Sequence, residues 1–288
     1  MSETIAIVGP GRMGLALGTA LLQSRGVERI LFYGRSLEPP PHPIFAPGTA
    51  AEYRVGIQSP PPETTCILLA VPDSALPEVA HELAAAGPAP AGCAALHLAG
   101  ALSTDVLAPL HAAGYAIGSL HPLLAIADPW SGGERLHGAG FAIAGEPAAL
   151  ATARRLVALL NGRPLVIPPA LRPLYHAAAV FGSNYLVALA AITARLLSQA
   201  GVPEPDAVAV ALPLLRSSLE NLEHLGLVPA LTGPIARGDA DTVRLHLARL
   251  SPEDRALYCA LGRETLRLAR AAGLDEARAR ELESLLAD

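Results

Sequence analysis

The sequence predicts a doubly wound, largely parallel α/β domain followed by an all-helical domain. Three observations lead there. Through the first half of the chain, short apolar runs alternate with turn signals and helical stretches, the mark of parallel strands joined by crossover helices. The first of those strands runs directly into the glycine-punctuated turn Gly9-Pro10-Gly11-Arg12-Met13-Gly14, which opens a helix. From Leu171 onward, strand patterns cease and only helical ones remain. A length of 288 residues suits two domains, and Pro168-Pro169 marks the boundary, giving domains 1–168 and 169–288.

Taken in order, Thr4–Val8 reads as a buried strand, and the helix after the glycine turn extends to about Ser24. Arg29–Tyr33 is a second strand. Pro39–Pro43 and Pro47-Gly48 then make a segment too rich in proline for a regular helix. Thr65–Val71 is a further strand and Ser74–Ala86 a helix, while Ala94–Ala99, Tyr115–Leu120, Gly140–Ala144 and Leu165–Ile167 are strand candidates. Leu171–Ala200 is helical and apolar nearly all round, which calls for burial in a bundle or a dimer. Asp206–Leu225 is a helix bent near Pro213 and stopped by Gly226. Ser251-Pro252-Glu253-Asp254 starts another with a serine cap, proline in the first turn and acids at the positive end; it runs to Gly273. A short helix follows it.

Composition excludes several functions. Hydrophobic residues make up 51% of the chain and charged ones 16%, so it is not disordered. A net charge of −5 lacks the basic footprint of a nucleic-acid binder. All 21 basic residues are arginine, which excludes Schiff-base chemistry and lysine acid–base catalysis. Cys66, Cys93 and Cys259 have no metal or redox spacing, and their odd number argues against a disulfide framework. Without an HxxxH, an HExxH or a cysteine cluster, no metal is expected. The first residues carry no basic leader, and the longest apolar segment, His176–Leu197, contains Ser183, Asn184, Thr193 and Arg195, a poor membrane span. The expectation is a soluble cytoplasmic protein with neither membrane nor nucleic-acid partners.

The glycine turn suggests a ligand. Glycines there allow the tight bend, let backbone approach a pyrophosphate, and let helix pack on strand, while the helix N-terminus offers free N–H groups to the anion. A strand before it and a helix after it give the pattern the context of a dinucleotide site. The end of the second strand then selects the nucleotide. A site for NAD places Asp or Glu there for the ribose 2′-hydroxyl. This chain has Gly34-Arg35-Ser36, a guanidinium and a hydroxyl suited to a 2′-phosphate, so NADP(H) is expected. Ala70, Val71 and Pro72 close a sheet strand where ligands of such folds lie and should border the ribose or nicotinamide; Asp73 either joins them or caps the next helix.

These residues resemble those of pyrroline-5-carboxylate reductases, 6-phosphogluconate and β-hydroxyacid dehydrogenases, and deazaflavin-dependent NADP reductases. More specific are Gly118-Ser119-Leu120-His121-Pro122-Leu123, Tyr175-His176-Ala177-Ala178-Ala179 leading to Ser183-Asn184, and Thr232-Gly233-Pro234-Ile235-Ala236-Arg237-Gly238-Asp239. Together they are similar to a bacterial family with a Rossmann-like domain followed by a helical domain of unknown function. That likeness spans nearly the whole chain and implies an NADP oxidoreductase, with relatives among the ketopantoate reductases. The chain departs from the β-hydroxyacid dehydrogenases in one respect. They carry a lysine four residues before an asparagine on the first interdomain helix; Asn184 matches the asparagine, but Val180 stands at the lysine position.

Hydride transfer to C=O or C=N needs a proton donor and groups that hold the substrate. Histidine is the default acid near neutrality. His176 lies one turn before Val180 on the same helix stripe, and His121 ends a strand, so both are candidates for the donor. Asn184 is a candidate to orient the substrate. Arg237, in a loop broken by Gly233, Pro234 and Gly238, is a candidate to anchor its carboxylate, with Asp239 either fixing that fork or capping the next helix. His97, Thr232 and His246 are weaker candidates. The leading expectation is an NADP(H)-dependent oxidoreductase acting on a small keto- or imino-carboxylate, homodimeric through its helical domain. The rivals are a non-catalytic NADP(H)-binding sensor and an NADPH–deazaflavin reductase.

Overall fold

The structure, a computed structural model, describes residues 3–287. It comprises two compact units, the first ending at Tyr185 and the second starting at Leu186.

In the first unit the elements follow as β1 (Glu3–Val8), α1 (Arg12–Gln23), β2 (Val27–Gly34), β3 (Ala51–Val55), β4 (Thr64–Leu69), α2 (Leu76–Ala85) and β5 (Ala94–His97). Next come α3 (Ala108–Ala112), β6 (Ala116–Pro122), α4 (Pro129–Arg135), β7 (Gly140–Gly145), α5 (Pro147–Leu159), β8 (Arg163–Val166) and α6 (Arg172–Gly182). Among the described residues the strands form one sheet in the order β3-β2-β1-β4-β5-β6-β7-β8, parallel except where β7 runs against β6.

Side-chain alternation explains why the sheet is covered on both faces. Ile5, Ile7, Ile30, Phe32 and Leu68 point into one apolar layer with Leu15, Leu17 and Leu21 of α1 and Leu156 of α5. Their neighbours Ala6, Val8, Leu31, Tyr33 and Ile67 point into the other, with Leu76, Ala80 and Leu83 of α2 and Leu110 of α3. The two outer strands are the exposed ones. β8 carries Pro164, which an edge tolerates, and β3 was not foreseen, because Ala51-Glu52-Tyr53-Arg54-Val55 pairs only with β2 and has no continuous apolar run. The reversal at β7 follows from its connection: residues 123–139 do not cross the sheet, and α4 lies against α1, where Gly132 and Gly133 permit close approach to Ala16 and Thr19.

The division into compact units falls after Tyr185, beyond the Pro168-Pro169 boundary expected from the sequence. Arg172, the first residue of α6, is wholly buried and donates to Ser119 Oγ of β6 at 2.8 Å and to the Ala99 carbonyl at 2.6 Å. That anchors α6 to the strand ends and makes it part of the first unit. The single long helix expected over Leu171–Ala200 is corrected: it breaks at Ser183, whose φ of −124° and ψ of −68° leave helical geometry. Beyond the break lies α7 (Asn184–Gln199). Pro169–Gln199 as a whole is long and apolar enough to cross a membrane by length and composition. Its two helices, of 11 and 16 residues, are each shorter than the roughly 20 residues a span requires.

The second unit continues with α8 (Glu204–Leu225), α9 (Pro234–Arg237), α10 (Ala240–Leu247), α11 (Pro252–Ala271) and α12 (Glu276–Leu285). Val243, Leu247, Cys259, Leu266, Ala279 and Leu282 form its core. Arg195 of α7 is held by the Asp254 carboxylate at 2.8 and 2.5 Å, and Ser251 Oγ also donates to that carboxylate while capping α11. The three cysteines are buried and free.

His97 gives this fold an acid limit. Its ring is fully buried at the end of β5 and accepts the Ala99 N–H through Nδ1 at 3.2 Å. Burial, and then the Arg172 cation, push its pKa down to about 3. The folded ring therefore stays neutral where the unfolded chain already binds a proton. Stability present above the ordinary histidine value is lost as pH falls from there towards the folded value. Urea midpoints should fall between pH 6.5 and 4, and His97→Gln should flatten that slope by ~1 proton.

Candidate functional site

The glycine turn is built for close approach. Gly9 has φ +100°, and a Cβ there would lie 2.6 Å from the Ala70 carbonyl oxygen. A Cβ on Gly14 would lie 2.2 Å from the Gly9 carbonyl oxygen. Gly11 is different: nothing lies within 4 Å of its Cβ position, so the space above it is open. Gly11 also caps α1 with no side chain bonded to the first-turn N–H groups, which leaves them available to an anion. The sheet reverses its winding between β1 and β4 at this point, the switch point where such sheets take ligands.

The other residues predicted for the nucleotide lie around this turn. The Ala70 N–H donates to the Val8 carbonyl at 2.8 Å, so Ala70 and Val71 back the turn from β4. Met13 packs on the sheet core while Arg12 is exposed. At the end of β2, Gly34 is required because a Cβ would lie 2.5 Å from the Tyr53 hydroxyl, which donates to the Ser36 carbonyl at 2.7 Å. Arg35 is exposed, and among the described residues its guanidinium has no hydrogen bond or ion pair. Pro72 is exposed and leads into a short turn at Asp73, whose side chain makes no cap.

A cavity of about 820 Å³ starts at Arg12 and runs along residues 123–127 to the inner face of α6 and the first residue of α7. Its polar wall is His121, Tyr175, His176, Ser183 and Asn184. His121 Nδ1 lies 2.8 Å from the Tyr175 hydroxyl, with the two rings perpendicular. His121 and His176 rings meet edge to face at 5.8 Å between centroids, and His176 Nδ1 is buried without a hydrogen-bond partner. Asn184 Oδ1 accepts from Ser183 Oγ at 2.9 Å. Val180, at the position of the missing lysine, also lines the cavity.

Electrostatics follow from burial beside a cation. Burial, then His176 and Arg172, push the His121 pKa down to about 4. Burial pushes the Tyr175 hydroxyl up to about 12, against a lowering pull from Arg172. At neutral pH the pair therefore consists of a neutral imidazole and a protonated phenol. Among the described residues Arg172 makes no ion pair, Asp73 acts on it only through space, and its Nε is unpaired.

Sequence reading found His121, His176 and Asn184 but missed Tyr175, Arg172 and Gly100. Tyr175 stood beside His176 within a motif already singled out; Arg172 carried no signal beyond being a cation in an apolar stretch. Gly100 became visible only through space: a Cβ there would lie 2.3 Å from His176 Nδ1 and 2.9 Å from His121 Nε2. His97 is core rather than cavity wall. Arg237 belongs to the second unit, at the end of α9, and among the described residues its guanidinium has no hydrogen bond or ion pair. Asp239 caps α10 through the Thr242 N–H at 3.1 Å rather than bonding the Arg237 fork, and His246 pairs with Tyr258 at 3.0 Å.

Residues 52–122 match a family model described as a Rossmann-like domain, and residues 139–265 one described as a domain of unknown function, DUF2520. The two matches follow one another along the chain, the Rossmann-like one first. No curated protein matches it. Among solved structures, a Thermotoga maritima protein is 22% identical, covers 97% of this chain and 98% of its own, and has a TM-score of 0.64. A Bacteroides fragilis protein described as a candidate NADP oxidoreductase is 23% identical over 94% of this chain and 98% of its own, with a TM-score of 0.66. The Plasmodium falciparum pyrroline carboxylate reductase, solved with NADP bound, is 15% identical over 98% of each chain, with a TM-score of 0.58. At these identities the likeness is one of fold.

Gly100→Ala should force the two histidine rings apart and destabilise the chain by about 1–3 kcal/mol, read from urea unfolding. An alanine variant as stable as the parent would contradict this packing.

Proposed function

We propose that this protein is an NADP(H)-dependent oxidoreductase that reduces the C=O or C=N group of a small keto- or imino-carboxylate. One observation carries the reading: a single cavity runs from Arg12, in the glycine turn, to a wall of histidine, tyrosine and asparagine. A nucleotide-binding turn alone would serve a sensor equally well; the polar wall supplies acid–base groups for which a sensor has no use.

The residues fit the cofactor. Open space over Gly11, uncapped N–H groups at the start of α1 and the unpaired guanidinium of Arg35 suit a pyrophosphate and a 2′-phosphate. In this reading Gly9, Pro10, Gly11, Arg12, Met13 and Gly14 hold the diphosphate, Gly34, Arg35 and Ser36 the adenosine phosphate, and Ala70, Val71 and Pro72 the ribose side. NADPH, when bound, supplies a hydride. The chain's own residues do the rest. Asn184 orients the substrate, and the polar wall that holds His121, Tyr175 and His176 is the source of the proton. With no lysine in the sequence, that proton cannot come from an ammonium.

The same reading makes the protein a cytoplasmic homodimer. Val187 of α7 is 71% exposed and Leu214 of α8 62%, with Val208, Leu219 and Leu225 also exposed. Apolar helix surface of this extent calls for a covering partner, and a second copy supplies it.

Calorimetry should show NADPH binding more tightly than NADH, with Arg35→Asp reducing that preference roughly 10- to 100-fold. Gly11→Leu should abolish nucleotide binding without lowering the melting temperature, since its Cβ position is open and its φ of −84° suits any residue. Unchanged binding by Gly11→Leu would remove the turn from the nucleotide site. Turnover with NADPH should be found by screening 2-oxo acids, ketopantoate and pyrroline-5-carboxylate, and Asn184→Ala should raise the substrate KM.

A further inference from the structure

We propose that the hydroxyl of Tyr175 hands the proton to the reduced substrate, and that His121 holds that hydroxyl and restores its proton. The inference deepens the oxidoreductase reading and rests on it. It starts from a contact that packing does not require. Tyr175 on α6 and His121 at the end of β6 are 54 residues apart, yet the hydroxyl lies 2.8 Å from Nδ1 with both groups on the cavity wall.

Which member of the pair gives up the proton follows from their surroundings. His97, Arg172, Tyr175 and His176 are the titratable and charged groups around the His121 ring, and none is an anion at neutral pH. With burial added, the ring is neutral, and a neutral imidazole N–H is a far weaker acid than a phenol. Tyr175 keeps its proton through the neutral range. Arg172 favours the phenolate that forms once the proton has left.

Release of the Tyr175 proton into the cavity requires one tautomer of His121. With the proton on His121 Nδ1 donated to the tyrosine oxygen, the phenolic hydrogen is free to point into the cavity. His121 Nε2 then faces the Gly100 side, where His176 Nδ1 lies unpartnered. In the step itself, hydride from NADPH forms the new C–H bond as the C=O or C=N π electrons move to the heteroatom. That heteroatom takes the proton from Tyr175. The phenolate recovers a proton from His121 Nδ1 while Nε2 takes one from water; loss of that Nε2 proton and reprotonation of Nδ1 return the ring to its starting tautomer, so the net consumption is one hydride and one solvent proton. Tyr175 is thus the catalytic residue and His121 a positioning residue.

Two measurements on the full-length protein test this. Long-range proton–nitrogen NMR of the nucleotide-free protein should show His121 protonated on Nδ1, with Tyr175→Phe shifting it towards the Nε2 tautomer. A His121 protonated on Nε2 in the parent would overturn the proposal, because the tyrosine proton would then be committed to the histidine. In NADPH-dependent turnover, Tyr175→Phe should lower kcat roughly 100- to 1000-fold with the Kd for NADPH unchanged. His121→Asn, whose amide still donates to the tyrosine oxygen but cannot relay a proton, should lower kcat less. Tyr175→Phe with parental kcat would sink the proposal while leaving the oxidoreductase reading intact. Absence of NADPH binding by the parent would sink that reading, and the proposal with it.

Discussion

The buried guanidinium of Arg172 is the interaction on which the rest of the site depends. It enters from the first turn of α6 and is satisfied by a serine hydroxyl of β6 and the carbonyl after β5, with Asp73 acting only through space and no carboxylate bonded to it among the described residues. A lone buried cation is expensive, and cations are normally paired when they lie inside. Here that cost accompanies two effects. The helix is tied to the carboxyl ends of the strands, and His97, His121 and Tyr175 are biased towards the form that carries no extra positive charge.

That bias organises the polar wall. His97, His121 and Tyr175 all face the same cation; the two rings are held neutral, and the phenol, raised by burial, is pulled back towards ionisation. Gly100 sets the distances, because only a residue without a side chain lets two imidazoles crowd one backbone position. The protonation states of this polar wall therefore follow from desolvation and one nearby cation.

Much of this was legible in the sequence, and the parts that were not share a cause. Strand–helix alternation, the glycine turn and the Arg35 position are local patterns, and each is found where the residues place it. β3 was missed because an edge strand with one partner needs no apolar run. The helix break at Ser183 was missed because Gly182-Ser183 sits inside an otherwise continuous apolar pattern. The division into compact units falls beyond the expected boundary because Arg172 attaches α6 to residues 53 and 73 positions earlier, and no local pattern carries a contact of that span. Tyr175 was overlooked for a related reason: its meaning lies in the histidine it touches, not in its neighbours along the helix.

The antiparallel strand β7 has an evolutionary corollary. Because it turns back beside β6, residues 123–139 leave and re-enter the sheet at one end, and five of them wall the cavity. The first part of that segment, residues 123–127, lines the cavity, while its second part, α4, is packed on α1. Divergence in ligand choice among proteins of this architecture is then expected to concentrate in residues 123–127, where a change of side chain reshapes the cavity wall and leaves strand register alone.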